Sequence, residues 1–188
     1  MTVELGDVYR EVESVLRMKP LAEEARGFQL VVRVVFLPSF DPECGMTFFG
    51  RDEEAVLSIH SAKRSIWAYL NAKKGVAGFT SADAWVEPSV GNEVIKLGCD
   101  DLRQVFDLVR GFESSTGKYA GMGLDGMPAR IEVRDEGMAA GFAEIWFSAD
   151  ANTPPGRLAG LLSRLATANC TWDLTRATVA ALQKYGCR

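Results

Sequence analysis

Residues 121–168, GMGLDGMPARIEVRDEGMAAGFAEIWFSADANTPPGRLAGLLSRLATA, decide the fold class. Asp125-Gly126 is a turn pair, because glycine reaches positive φ without a Cβ clash and aspartate bonds its own backbone. After Pro128 the residues alternate, with Ala129, Ile131 and Val133 on one face and Arg130, Glu132 and Arg134 on the other. That period of two predicts a strand with one wet face. Asp135-Glu136-Gly137 makes a tight return. The partner strand, from about Ala140 to Ser148, sets Gly141, Ala143, Ile145 and Phe147 against Ala140, Phe142, Glu144 and Trp146. Both of its faces are largely apolar. It is therefore covered on both sides or forms one wall of a groove, and Phe142 and Trp146 decide which.

A helix follows the hairpin. Thr153 or Asn152 can cap it, and a proline at the first helical position loses no useful N–H. Leu158, Leu161, Leu162 and Leu165 fall at i, i+3, i+4 and i+7, a stripe that buries against the apolar face of the sheet. Each leucine so buried contributes roughly 1.5–3 kcal/mol before chain entropy opposes it.

Working outward, Leu5, Val8, Tyr9, Val12, Val15 and Leu16 keep helical spacing until Pro20, and PLAEEAR adds a short helical turn. Gln29–Leu37, QLVVRVVFL, has only Arg33 as a polar residue in its interior and reads as a central strand. MTFFGRD, EAVLSIHSA and RSIWAYLNAKK predict a meander of three short strands, the third setting Trp67 and Tyr69 against Ile66, Ala68 and Leu70. ADAWVEPSV predicts a further strand and EVIKLG another. Asp100 or Asp101 caps a helix presenting Leu102, Val105, Phe106 and Val109. Thr171 caps a last helix with Leu174, Ala177, Thr178, Ala181, Leu182 and Tyr185 as its face, closed by Gly186. Strand runs followed by helices, without βαβ alternation, predict an α+β fold. We expect one domain over residues 1–188: a mainly antiparallel sheet of about six strands, with amphipathic helices packed mostly on one face.

A chain of 188 residues, 47% hydrophobic and 24% charged, has the means to build one core. Its formal net charge of −4 argues against a general nucleic-acid binder and against electrostatic attachment to anionic lipid. No apolar run approaches the roughly 18 residues of a membrane span, and the first residues show no secretory pattern. Cys44, Cys99, Cys170 and Cys187 are scattered without a C-x-x-C pair. A cytoplasmic protein with reduced thiols is the simplest account.

The motifs that suggest chemistry fail on context. Gly121 to Gly126 spell G-x-G-x-x-G, but a dinucleotide fingerprint needs a strand before it and a helix opening at it. Here a polar loop precedes, and Pro128 with a strand pattern follows. His60 is the only histidine, so no metal site is expected, and no cofactor. A Cys44/His60 dyad depends wholly on the fold, and the simpler account is a buried thiol and a surface histidine. Asp125, Asp135, Glu136, Glu144 and Asp150 are explained by turns, capping and solvation.

The aromatics remain. Phe48, Phe49, Trp67, Tyr69, Trp85, Phe142 and Trp146 all fall on expected strands, where covering helices make them core and an open face makes them a contact patch. The function expected is a non-catalytic module binding a protein or itself, with Trp67, Tyr69, Trp85, Phe142, Glu144 and Trp146 as its binding residues. A homodimer and a toxin-neutralising immunity protein both fit that class. The alternatives are a small hydrolase or transferase using Cys44 or the hairpin carboxylates, and a carrier of an apolar small molecule between Trp146, Phe142 and the leucines.

Overall fold

The computed structural model describes residues 5–38, 41–113, 127–136, 143–148 and 153–185, the 143–148 segment by its backbone alone. The turn at Asp125-Gly126, the G-x-G-x-x-G run, Gly137, Phe142, Asp150, Asn152, Gly186 and Cys187 lie outside the described residues. In chain order the elements are α1 (Leu5–Val15), α2 (Leu21–Glu24), β1 (Leu30–Phe36), β2 (Cys44–Arg51), β3 (Glu54–Ala62), α3 (Ile66–Lys73), a 3-10 turn (Ala82–Trp85), β4 (Val90–Leu97), α4 (Cys99–Glu113), β5 (Pro128–Asp135), β6 (Ala143–Ser148), α5 (Pro154–Asn169) and α6 (Asp173–Gln183). The strands form one six-stranded antiparallel sheet in the order β4-β3-β2-β1-β5-β6. The fold is α+β, as the strand runs followed by helices predict, with helices on both faces of the sheet rather than mostly on one.

β1 is central, paired with β2 and β5 and buried along its whole length. Its even-numbered residues, with Met46, Phe48, Leu57, Ile59 and Ile131, form the larger core under α4, α5 and α6. Leu158, Leu161, Leu162 and Leu165 are all buried there. Thr153 caps α5 by accepting from the Gly156 N–H at 3.1 Å, with Pro154 at the first helical position. On α6 the buried positions are Thr175, Thr178, Val179, Ala181 and Leu182, whereas Ala177 is exposed. The other face of the sheet lies under α1 and α2, where Val8, Tyr9, Val12 and Leu16 meet Val35, Ala62 and Ile66 of α3. β2 passes close beneath this layer: a Cβ on Gly45 would stand 2.3 Å from the Met18 sulfur. Glycine there lets Leu16 descend until its carbonyl accepts from His60 Nδ1 at 2.9 Å.

Three expectations are corrected. Residues 64–74 are not a strand but carry α3, because two groups satisfy the free N–H donors of its first turn. Ser65 caps it, accepting from Ala68 N, and the Glu43 carboxylate accepts from Ile66 N at 2.5 Å and Trp67 N at 2.7 Å. Residues 82–90 are not a strand either: Trp85 ends a 3-10 turn, and β4 begins only at Val90. Finally, the β5 face of Arg130 and Glu132 is not wet. Both side chains are buried, since Glu13 of α1 reaches down to pair with Arg130 and Arg33.

A second carboxylate clasp holds α6. Trp172, not Thr171, occupies the cap position, and Glu93 of β4 accepts from Thr171 N at 2.6 Å, Thr171 Oγ1 at 2.9 Å and Trp172 N at 3.4 Å. Burial alone would raise the Glu93 pKa, but the bonds from Thr171, Thr175 and Trp172 together outweigh it and hold the carboxyl below its usual value. A depressed carboxyl pKa stabilises the fold above the unfolded value and ceases to do so as pH falls through the folded one. Wild type is therefore expected to exceed Glu93→Gln in stability by its full margin above pH 4.5 and to lose that margin below it. Urea midpoints of both proteins at neutral and acid pH measure this. α4 uses a shorter version of the clasp: Asp101 Oδ2 accepts from the Gly98 N–H at 3.0 Å.

Candidate functional site

The structure gathers three of the six expected binding residues, sets Glu144 and Trp146 apart on β6, and leaves Phe142 outside the described residues. Trp67 and Tyr69 lie on α3 and Trp85 on the adjoining 3-10 turn, and Arg64 ties the two elements together through Asp83 at 3.2 Å. Trp67 is 45% exposed and Trp85 59%, with Val86 at 51% next to Trp85 in the chain. Indole rings left this bare on a folded chain are characteristic of contact surfaces. The Glu43 clasp matters here because it seats the first turn of α3 and so fixes where Trp67 projects. Tyr69 is partly buried, with the Lys73 ammonium 5.8 Å from its ring centroid. Tyr69, Leu70, Lys73 and Lys74 also line a groove of about 520 Å³ between α3 and α1, with Glu11 and Val15 opposite. Lys74 and Glu11 close one part of it with a 2.5 Å ion pair.

Glu144 and Trp146 are on β6, at the opposite edge of the sheet from β4. Their register partners are Glu132 and Arg130, so these positions share the sheet face that α1 covers.

The chemical candidates are not brought together. Paired positions Cys44–Ser61 and Gly45–His60 put Cys44 and His60 on opposite faces of the sheet. Cys44 is fully buried, and that burial pushes its thiol up to about 12, the nearby Ser61 hydroxyl offsetting only part. A thiol so shielded carries almost no thiolate at neutral pH. His60 is buried rather than at the surface. Burial lowers its pKa, against the Leu16 carbonyl and Glu24, while Arg33 adds to the lowering. The imidazole is thus a neutral donor to backbone.

Sequence reasoning missed the most concentrated polar feature, an ion network under α1. Arg33, 1% exposed, donates to Glu24 at 2.6 Å, Glu13 at 3.3 Å and Thr47 at 3.3 Å. Arg130 bonds Glu13 at 3.4 Å and also Glu132. Two guanidiniums and three carboxylates make up the network, each carboxylate within reach of an arginine. Burial of Tyr9 beside them raises its phenol well above the ordinary range, with Arg130 opposing. The available signal was Arg33 itself, a lone charge inside an otherwise apolar strand. Among the described residues no group of three or more His, Cys, Asp or Glu side chains could hold a metal ion, and no helix is long and apolar enough to cross a membrane.

By architecture this is an α+β chain with a six-stranded antiparallel sheet clad on both faces and an aromatic surface on α3 and the 3-10 turn. Comparison with protein-family models, with curated proteins and with solved structures found no match.

Proposed function

We propose that the chain is a non-catalytic module that acts by contact with protein, a separate partner or another copy of itself. The observation that carries this reading is the pair Trp67 and Trp85, both about half exposed on neighbouring elements whose geometry is held by the Glu43 clasp and the Arg64–Asp83 pair. Half-exposed indoles add little to the packing of the fold, whereas aromatic rings on ordered elements bind with little loss of side-chain entropy. A cytoplasmic setting suits the free buried thiols of Cys44 and Cys170.

Because both rings are exposed, the double variant Trp67→Ala, Trp85→Ala is expected to change unfolding free energy by less than about 1 kcal/mol. Its affinity for a protein partner is expected to fall by about 2 kcal/mol or more, roughly 30-fold. Urea denaturation checks the first, and chemical crosslinking of the full chain in native extract, wild type against double variant, checks the second. Loss of wild-type crosslinks in a folded variant supports the reading, and an unchanged crosslink pattern contradicts it.

A further inference from the structure

We propose that the outer edge of β4 is a self-association surface, on which a second copy of this chain docks antiparallel about a two-fold axis through Val94. The inference goes beyond the contact reading above: it assigns a second surface, separate from Trp67 and Trp85, on which the chain binds its own copy. β4 ends the sheet, and among the described residues no strand pairs with its outer side. The Lys63 N–H donates to the Ser89 carbonyl at 2.9 Å, which sets the phase of the β3–β4 ladder. With that register, Gly91, Glu93, Ile95 and Leu97 turn their backbone groups toward β3. Val90, Asn92, Val94 and Lys96 turn theirs outward.

The edge carries Lys96 and the inward-pointing Glu93 but lacks the backbone guards. Its eight residues hold an unbroken register without proline or bulge. On the sheet face above these outward groups Val94 is 63% exposed, the barest large apolar side chain among the described residues. The segment is also complementary to itself. A two-fold through Val94 pairs Val94 with its own copy and Asn92 with the partner's Lys96, so no like charges meet. The ladder stops where the backbone is already used: the Gly98 N–H goes to Asp101 and its carbonyl to Leu102 N. The result is an isologous dimer with one continuous sheet.

Sedimentation velocity of the full chain over a range of concentrations tests it. Wild type is expected to pass from monomer to dimer. Val94→Lys sets two ammonium groups face to face at the axis and is expected to raise the dimer Kd about tenfold or more. Val94→Pro removes the outward N–H while leaving the bonds to β3 intact, and it gives the same loss by a different route. Trp67→Ala, Trp85→Ala, which alters another surface, keeps the dimer. A wild type that stays monomeric, or a dimer indifferent to both Val94 variants, overturns the proposal. Either result leaves the crosslinking test of the aromatic surface unaffected.

Discussion

Arg33→Ala is expected to lose about 3–5 kcal/mol of unfolding free energy, the usual effect of removing one partner from a buried ion pair. Arg33 stands in the middle of the central strand at 1% exposure and serves Glu13, Glu24 and Thr47 together. Its removal leaves two largely buried carboxylates facing a void, and Arg130 keeps only part of Glu13. The large effect does not mean that the network itself is strongly stabilising, because desolvating five charges offsets most of their attraction. Neutralising the stranded acids along with the arginine, as in Arg33→Met, Glu13→Gln, Glu24→Gln, is therefore expected to recover most of the loss. Urea denaturation of the single and triple variants measures both. A single variant within about 1 kcal/mol of wild type would mean that water reaches the network and screens it.

Glu43→Ala comes second. Glu43 has no solvent exposure and accepts from Ile66 N, Trp67 N and the Ser65 hydroxyl. Hydrogen bonds to a charged acceptor contribute about 1.5–3 kcal/mol each, so losing the two backbone bonds is expected to cost about 3–6 kcal/mol before α3 relaxes into water. The effect is local first: amide exchange at Ile66 and Trp67 accelerates more than exchange in β1, and the Trp67 surface loosens with it. The pH dependence runs opposite to that of Glu93. Burial raises the Glu43 pKa above its usual 4.5, more than its bonds from Trp67, Ile66 and Ser65 lower it. The folded state thus holds this proton longer than the unfolded chain does. The margin of wild type over Glu43→Gln is largest below pH 4.5 and shrinks as pH climbs through the raised value. Equal margins across that range would contradict the assignment.

The parts of the fold that were legible in the sequence are those set by neighbours along the chain. Alternation located β3, β5 and β6, an apolar β-branched run located β1, and Thr153, Pro154 and the leucine spacing located α5. What stayed hidden depends on distant residues. The run IWAYLNAK alternates aromatic and aliphatic side chains like a strand, and the group that makes it a helix is Glu43, 23 residues before Ile66. Arg130 and Glu132 have the pattern of a solvated strand face until α1, more than a hundred residues earlier, is laid over them. The candidate site was half legible for the same reason. Composition singled out Trp67, Tyr69 and Trp85, but their placement on a helix and a 3-10 turn, away from β6, follows from tertiary contacts.

The most direct test of function by contact is oxidative footprinting of the tryptophans, in the dilute purified chain and in native extract. Trp67 and Trp85 are expected to oxidise readily in the isolated chain and to be protected in extract. Equal oxidation of both rings in the two conditions would contradict the account.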